Sequence, residues 1–395
     1  MSAQGGPRAR YKIVMVAACP FPYPQGSQVL ISQLSTALHH RGHQVSLVTY
    51  HWGAGEPPTG LQVQRVATLP GMGPVKAGPS WRKPVLDMLL AHKLLRVVRD
   101  QEADVVHTHN VEGLLAALAA RRLTGVPVVY HVHNAMGPEL HTYFSGRVGR
   151  WAGGAAGRWA DAHLPRRADQ CILLIDDALG YFRQRGVERV AVVPPGIDFE
   201  PGESEPIRRK LGKGPLVVYS GNLDRYQDLD LLLDAFRLVL ETMPETRLVV
   251  STSAQPGKVS AHAREKEIDA KTVFFPAHDF DQVRDLLAAA DVAVCPRQVC
   301  LGFPIKILNY MAAGRAIVAS QGSARGLRHG ENGWVVPNGD ARGMAAAIVA
   351  LLDDPDLARR LGEGARQSAR SEYNWNRVTA AIEKIYAQTT ARRQG

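Results

Sequence analysis

The 395-residue sequence contains no apolar run approaching the roughly 18 residues that suggest a membrane-spanning helix. It has only four cysteines, Cys19, Cys171, Cys295 and Cys300, and no two of them make a C-x-x-C pair. A disulfide or zinc framework is therefore not expected, and reduced thiols in core or loop are. Acidic residues are outnumbered, 37 Asp and Glu against 47 Lys and Arg, for a formal charge of +10. That excess favours an anionic partner (nucleotide, phospholipid surface or nucleic acid) without choosing among them. The start of the chain does not read as a signal peptide. Arg8, Arg10 and Lys12 precede only the short run IVMVAAC, and Pro20, Pro22 and Pro24 follow at once. A first strand entering a loop is expected there, in a cytoplasmic protein.

What is present is globular: 45% apolar and 21% charged residues. The length favours two domains. Strand and helix patterns alternate throughout, which predicts α/β architecture with mostly parallel sheets. YKIVMVAAC, VSLVTY, ADVVHTH, PVVYHVH, CILLI and AVVPPG read as strands of a first series. GPLVVYSGN opens a second, with RLVVS, TVFFP, DVAVCP and RAIVAS after it. The two series predict two Rossmann-like domains, residues 1–195 and 196–370, with a linker-like join near Pro195 to Pro215. The tail is helical, and its last helix, about 371–388, is expected to pack back on the first domain. The first ten residues and the ARRQG tail are expected to be disordered.

One stretch stands out, from Asp291 to Ser320. It reads strand, loop, helix, strand. Pro304 sits where a helix can begin and Gly314 where it can end. A loop opening a helix at the carboxyl end of a strand offers free N–H groups and a positive dipole end to a phosphate. Lys306 and Asn309 share one face of that helix, while Ile305, Leu308 and Ala312 can turn inward. Spacing alone also fits an amphipathic helix with a solvated Lys and Asn.

Two segments are basic, amphipathic and aromatic. Gly71 to Asp100 carries Trp81, Leu86, Leu90 and Leu94 among Arg82, Lys83, Lys93 and Arg96. Tyr143 to Arg167 carries Phe144, Trp151 and Trp159 among Arg147, Arg150, Arg158, Arg166 and Arg167. Each could lie on an anionic membrane surface, and the pattern alone fits better an ordinary core-facing helix with a wet basic side.

The chain resembles the family 4 glycosyltransferases over nearly its whole length, Tyr11 to about Gln388. The matching words are P-F-P-Y-P-Q-G-S, R-G-H-Q-V, D-V-V-H-T-H-N, V-V-Y-H-V-H-N, V-P-P-G-I-D, Y-S-G-N-L, A-D-V-A-V-C-P, P-I-K-I-L-N-Y-M-A-A-G and H-G-E-N-G-W-V-V-P, with Gly339 and Asp340 after them. Their order, more than any one of them, carries the resemblance. It implies the GT-B fold, two Rossmann-like domains facing across a cleft. It implies transfer of a sugar from a nucleotide-diphosphate sugar, with retention of configuration, to a glycan, lipid-linked or small-molecule acceptor. The donor is implied on the second domain and the acceptor on the first. No cofactor, metal or nucleic acid is expected, and peripheral contact with the inner face of a membrane is compatible with the basic segments.

The resemblance also implies site residues. Gly221, Gly302, Phe303, Pro304 and Ile305 would line the donor, with backbone N–H groups of Gly302 to Ile305 toward sugar and phosphates and Lys306 supplying charge. Two family glutamates fall on Leu301 and Asn309; Asn309 can still hydrogen-bond a ribose, without charge. A family Arg and Lys that grip the diphosphate fall on Asn222 and Gln227, leaving Arg225 or Arg297 to substitute. In the first domain His133 matches a strand-end His near the reacting sugar, followed by Asn134 where Asp is usual. Gly26 and Ser27 sit in the first strand-to-helix loop, and Glu112 and Glu139 are acceptor-side carboxylates. In such a retaining reaction the leaving phosphate itself can take the acceptor's proton. His107, His109 and His131 lie at neighbouring strand ends with His133. Four histidines so grouped suggest a metal, but alternating positions are expected to point them to opposite faces. The pairs Asp228 with Asp230 and Asp279 with Asp281 read as helix starts.

Two other readings stand beside the transferase. A sugar-nucleotide epimerase would use a similar two-domain fold. A degenerate relative would bind the sugar nucleotide or lipid without turnover, as Asn222, Gln227 and Asn309 would allow.

Overall fold

The computed structural model describes residues 10–23, 26–70, 73, 80–198, 202–212, 214–276, 280–300 and 302–394. Leu301, Asp279 and most of the stretch from Gly71 to Pro79 lie outside these. The chain divides into two compact units, Met1–Gly196 with Trp375–Gly395, and Ile197–Asn374.

The first unit is built on a sheet of β1 (Lys12–Ala17), β2 (Gln44–Thr49), β3 (Gln62–Arg65), β4 (Val105–His109), β5 (Val128–Val132), β6 (Gln170–Leu173) and β7 (Val190–Val192). Their order is β3-β2-β1-β4-β5-β6-β7, and every pairing is parallel. The second unit has β8 (Leu216–Ser220), β9 (Arg247–Thr252), β10 (Thr272–Pro276), β11 (Val292–Cys295), β12 (Ala316–Ser320) and β13 (Trp334–Val336). These run β10-β9-β8-β11-β12-β13, again all parallel. Strands covered on both faces need continuous apolar runs, and β4, β5, β8, β11 and β12 are buried throughout.

In each sheet the chain winds outward on one side, then returns to wind out on the other. The reversal falls between β1 and β4, and between β8 and β11. At such a switch point the strand-end loops diverge and leave a crevice where α/β ligands bind.

The last helix, Trp375–Gln394, belongs to the first unit. Val378, Ile382, Ile385 and Tyr386 join Ile13, Met15, Leu34 and Leu38 in one core. Glu383 accepts hydrogen bonds from Arg41 Nε at 2.5 Å, Arg41 Nη2 at 2.6 Å and His43 Nε2 at 3.0 Å. The second core gathers Tyr219, Leu232, Phe236, Val250, Val294, Val318 and Met344.

The join expected between Pro195 and Pro215 is not all linker. Helix Ser204–Leu211 buries Ile207 and Leu211, and its Arg208 meets Asp291 at 2.7 Å. A helix so short needs tertiary contacts to persist, and flanking Pro and Gly disguised it. All four cysteines are buried and free. No helix among the described residues is long and apolar enough to cross a membrane.

Candidate functional site in the strand-end loops

In the second unit, two loops flank the β8/β11 switch point. One leaves β8 through Gly221; the other leaves β11 and enters the helix Ile305–Ala312. Lys306, in the first turn of that helix, reaches the first loop. Its Nζ donates to Tyr219 Oη at 2.8 Å and to Gln227 Oε1 at 3.0 Å, and lies 3.9 Å from the centre of the Tyr219 ring. None of these partners is an anion. Lys306 is half-buried as a residue, its ammonium is held between Tyr219 and Gln227, and burial pushes its pKa down to about 8. Gly221 makes room for it: at φ +143° a Cβ there would lie 2.7 Å from the Lys306 Nζ.

The two polar positions that replace expected cations form a scaffold. Gln227 Nε2 donates to Asn222 Oδ1 at 2.8 Å, and Asn222 Nδ2 donates to Asp224 Oδ2 at 2.8 Å and Tyr226 Oη at 2.7 Å. The Gln227 carbonyl is thereby aimed at Lys306. The loops are tied again where Gln298 N donates to Asp228 Oδ2 at 3.0 Å. That contact corrects one expectation. Asp228 stands at the N-cap position of helix Leu229–Thr242, but with φ +54° it makes no side-chain cap and braces the neighbouring loop instead. Asp230 pairs with His262, and Asp281 with Arg284.

In the first unit, His107 and His109 lie in the last three residues of β4, His131 is next to last in β5, and His133 follows that strand. All four rings pack together, with centroids 4.7 Å apart for His107 and His109, 5.2 Å for His107 and His131, and 5.1 Å for His109 and His133. The expectation of opposite faces is overturned. Residues two apart on a strand share a face, and His109 stands in register with His131. Burial pushes His107 down to about 3 and His133 down to about 4, and holds His109 and His131 well below the usual imidazole range. All four rings are neutral at pH 7.

Comparison with known proteins bears on both units. Residues 24–201 match the family model described as Glycosyltransferase Family 4, and residues 214–354 match Glycosyl transferases group 1. The chain belongs to glycosyltransferase family 4. The transferase is 27% identical to the D-inositol 3-phosphate glycosyltransferase of Acidothermus cellulolyticus, over 100% of this chain and 94% of that protein. It is 27% identical to the phosphatidyl-myo-inositol mannosyltransferase of Mycobacterium leprae, over 95% of this chain and 96% of that protein. The solved structure of Anabaena HepE in complex with UDP and glucose superposes with a TM-score of 0.77 at 17% identity, over 96% of this chain and 100% of that one. The fold is GT-B, and the activity is glycosyl transfer with retention.

Within the transferase, the sequence-level site residues are placed as follows. Gly302, Phe303 and Pro304 are buried, with Phe303 edge-on to Tyr373 at 5.6 Å; Ile305 and Asn309 are half-buried. Arg297 stacks on Tyr226 at 4.7 Å and donates to Val299 O at 2.7 Å, whereas Arg225 is exposed on a short turn. Gly26 and Ser27 form the first turn of helix Gly26–His40, not a loop. Asn134 is exposed beside half-buried His133. Glu112 accepts from Lys83 Nζ at 3.1 Å, and Glu139 from Tyr143 Oη at 3.1 Å. Sequence reasoning missed Tyr219, which lies inside the word Y-S-G-N-L and carries both a ring and a hydroxyl to Lys306.

Proposed function

We propose that the second unit binds a nucleotide-diphosphate sugar, with Lys306 and the N-terminus of helix Ile305–Ala312 at the diphosphate. The observation that carries this is an enclosed ammonium at a strand-end switch point whose hydrogen-bond partners among the described residues are neutral. Such a cation is poorly compensated until an anion arrives, and its charge then acts in a site of low dielectric. Arg297 is the second cation on the same pair of loops. Asn309 serves the ribose as a neutral hydrogen-bonding group. Lys306, the helix end and Arg297 meet the leaving group's charge without a metal. In the first unit His133, held neutral, hydrogen-bonds the substrate. The solved relative bound to UDP and glucose supports a donor of this class, and the named activities of the curated relatives support a phosphorylated or lipid-linked acceptor. A panel of UDP-, GDP- and ADP-sugars tests the reading by donor hydrolysis and thermal shift. At least one donor should turn over and raise the melting temperature. Silence across the panel in both measurements would overturn it and favour the degenerate reading.

A membrane-associated acceptor is favoured by the helix Arg147–His163. Its buried face is Gly153, Gly154, Gly157 and Asp161; a Cβ at Gly157 would lie 2.3 Å from the Met136 carbonyl oxygen. The aromatics are therefore on the wet side, with Val148 80%, Trp151 71% and Trp159 57% exposed among Arg147, Arg150 and Arg158. By contrast, helix Lys83–Asp100 buries Leu86, Leu90 and Leu94 as an ordinary core helix does. We expect sedimentation with phosphatidylglycerol vesicles, not with phosphatidylcholine ones, falling as salt rises and abolished by W151A/W159A. Binding absent from anionic vesicles, or indifferent to salt and to the double substitution, would return this face to a wet surface.

A further inference from the structure

We propose that His107, His109 and His131 form a binding site for a divalent transition ion of the zinc class, within the first unit. One ring nitrogen of each lies within 4.8 Å of those of the others, and all three side chains are almost wholly buried. Two of those nitrogens, His109 Nε2 and His131 Nε2, have no hydrogen-bond partner among the described residues. A buried polar atom left unmatched is costly and calls for an explanation.

The remaining ring nitrogens indicate which state the orphans are in. His107 Nδ1 is 2.6 Å from Tyr386 Oη, and His107 Nε2 is 3.1 Å from His131 Nδ1. His109 Nδ1 is 2.9 Å from His133 Nε2. A neutral imidazole has one N–H and one lone pair. If His107 donates from Nδ1 to Tyr386, His131 donates from Nδ1 to His107, and His109 donates from Nδ1 to His133, every N–H is satisfied. Both orphans are then lone pairs. For His107 and His109 that is the ligand form, with the far N–H held by Tyr386 and His133, as metal-bound histidines usually have it; the His131 N–H gives up His107 Nε2 when that nitrogen turns to the ion. His107 Nε2 supplies the third lone pair once the His131 ring turns away from it.

The chemistry selects the ion. Three neutral imidazoles suit zinc, cobalt, nickel or copper, not magnesium or calcium. Metal–nitrogen bonds of about 2.0–2.1 Å in a tetrahedral site would bring the nitrogens to roughly 3.4 Å from one another, a closure that ring rotation can deliver. Half-buried His133 and exposed Asn134 mark the strand-end side as the way in. Since Tyr386 orients His107, a bound ion would also fasten the last helix to β4. The ion is not assigned to the transfer chemistry, whose proposed charge-bearing groups belong to the second unit.

The test uses full-length, tag-free protein stripped with chelator, titrated with cobalt(II) and zinc(II). One ion per chain should bind at micromolar concentration or tighter, cobalt should give the visible absorption of a tetrahedral site, and zinc should raise the melting temperature while magnesium does not. The chain has 14 histidines, so the H109N/H131N variant provides the assignment and should lose the cobalt band. If that variant misfolds, Tyr386→Phe decides: it keeps all three ligands and should bind about tenfold to a hundredfold more weakly. No binding by the native chain overturns the site. So does binding that Tyr386→Phe and a folded H109N/H131N leave unchanged.

Discussion

Lys306→Met is expected to lower kcat/KM for the sugar nucleotide about a hundredfold, the scale of losing one preorganised group that stabilises developing charge. The same substitution should leave the melting temperature at pH 7 unchanged or higher. Both halves come from the same geometry. Among the described residues the ammonium is enclosed against Tyr219 and Gln227 with no anion beside it, so under the proposed role it costs stability until a diphosphate binds. The pH dependence separates this from a simple packing role. Lys306 titrates near 8 in the folded chain, against an ordinary value of 10.5. Below 8 both folded and unfolded states hold the proton, and the fold carries the full cost of poor hydration. Between 8 and 10.5 the unfolded chain binds more protons, so this residue makes stability rise with pH. Melting curves from pH 7 to 10 should show that rise in the native chain and lose it in Lys306→Met. A variant with native kcat/KM would place the diphosphate elsewhere.

Glu383→Ala should produce the largest stability loss of any single change outside the cores, about 3 kcal/mol, the low end for breaking a covered ion pair. The low end applies because the Glu383 side chain is still 16% accessible, whereas Arg41 is 9% and His43 1%. His43 Nδ1 accepts from Tyr11 N at 3.2 Å while Nε2 donates to Glu383. Removing the carboxylate therefore strands one cation and one N–H together. Hydrogen bonding from Arg41, first among the causes, holds Glu383 below its ordinary value of 4.5. Its contribution is complete above that value and fades as pH falls through the folded one. Urea unfolding at pH 7 should show the lowered midpoint, and acid titration should show a flatter low-pH limb in the variant. An unchanged urea midpoint would mean the last helix is held by Ile382, Ile385 and Tyr386 alone.

Much of the fold was legible because a parallel strand covered on both faces must be apolar throughout. KIVMVA, LVVYS and AIVAS have no other plausible reading at their length. Two of the four edge strands were harder. Gln62–Arg65 has a single apolar residue, Val63, and none of the four is buried, and Trp334–Val336 is three residues long and reads as part of a turn-rich motif. Family resemblance pointed to Lys306, and to Arg225 or Arg297, as the cations of these two strand-end loops, but not to what they touch. The contact that matters joins Lys306 to Gln227, 79 positions apart, and no local pattern encodes such a pair. The histidines failed for a different reason. Their spacing of two was in plain view, but register between β4 and β5 decides whether the two pairs meet, and register is a tertiary quantity.

The division of the chain has a consequence for its synthesis. Ile197–Asn374 is an insertion within the first unit, whose closing helix begins at Trp375. A ribosome releases β1 through β7 long before the partners that complete their core, Val378, Ile382, Ile385 and Tyr386, have been made. The entire second unit is translated in the interval and can fold as it emerges. Until then Leu34 and Leu38 lack the side chains of the last helix that complete their core. Translation halted just after Asn374 would leave a finished second unit attached to an unfinished first one.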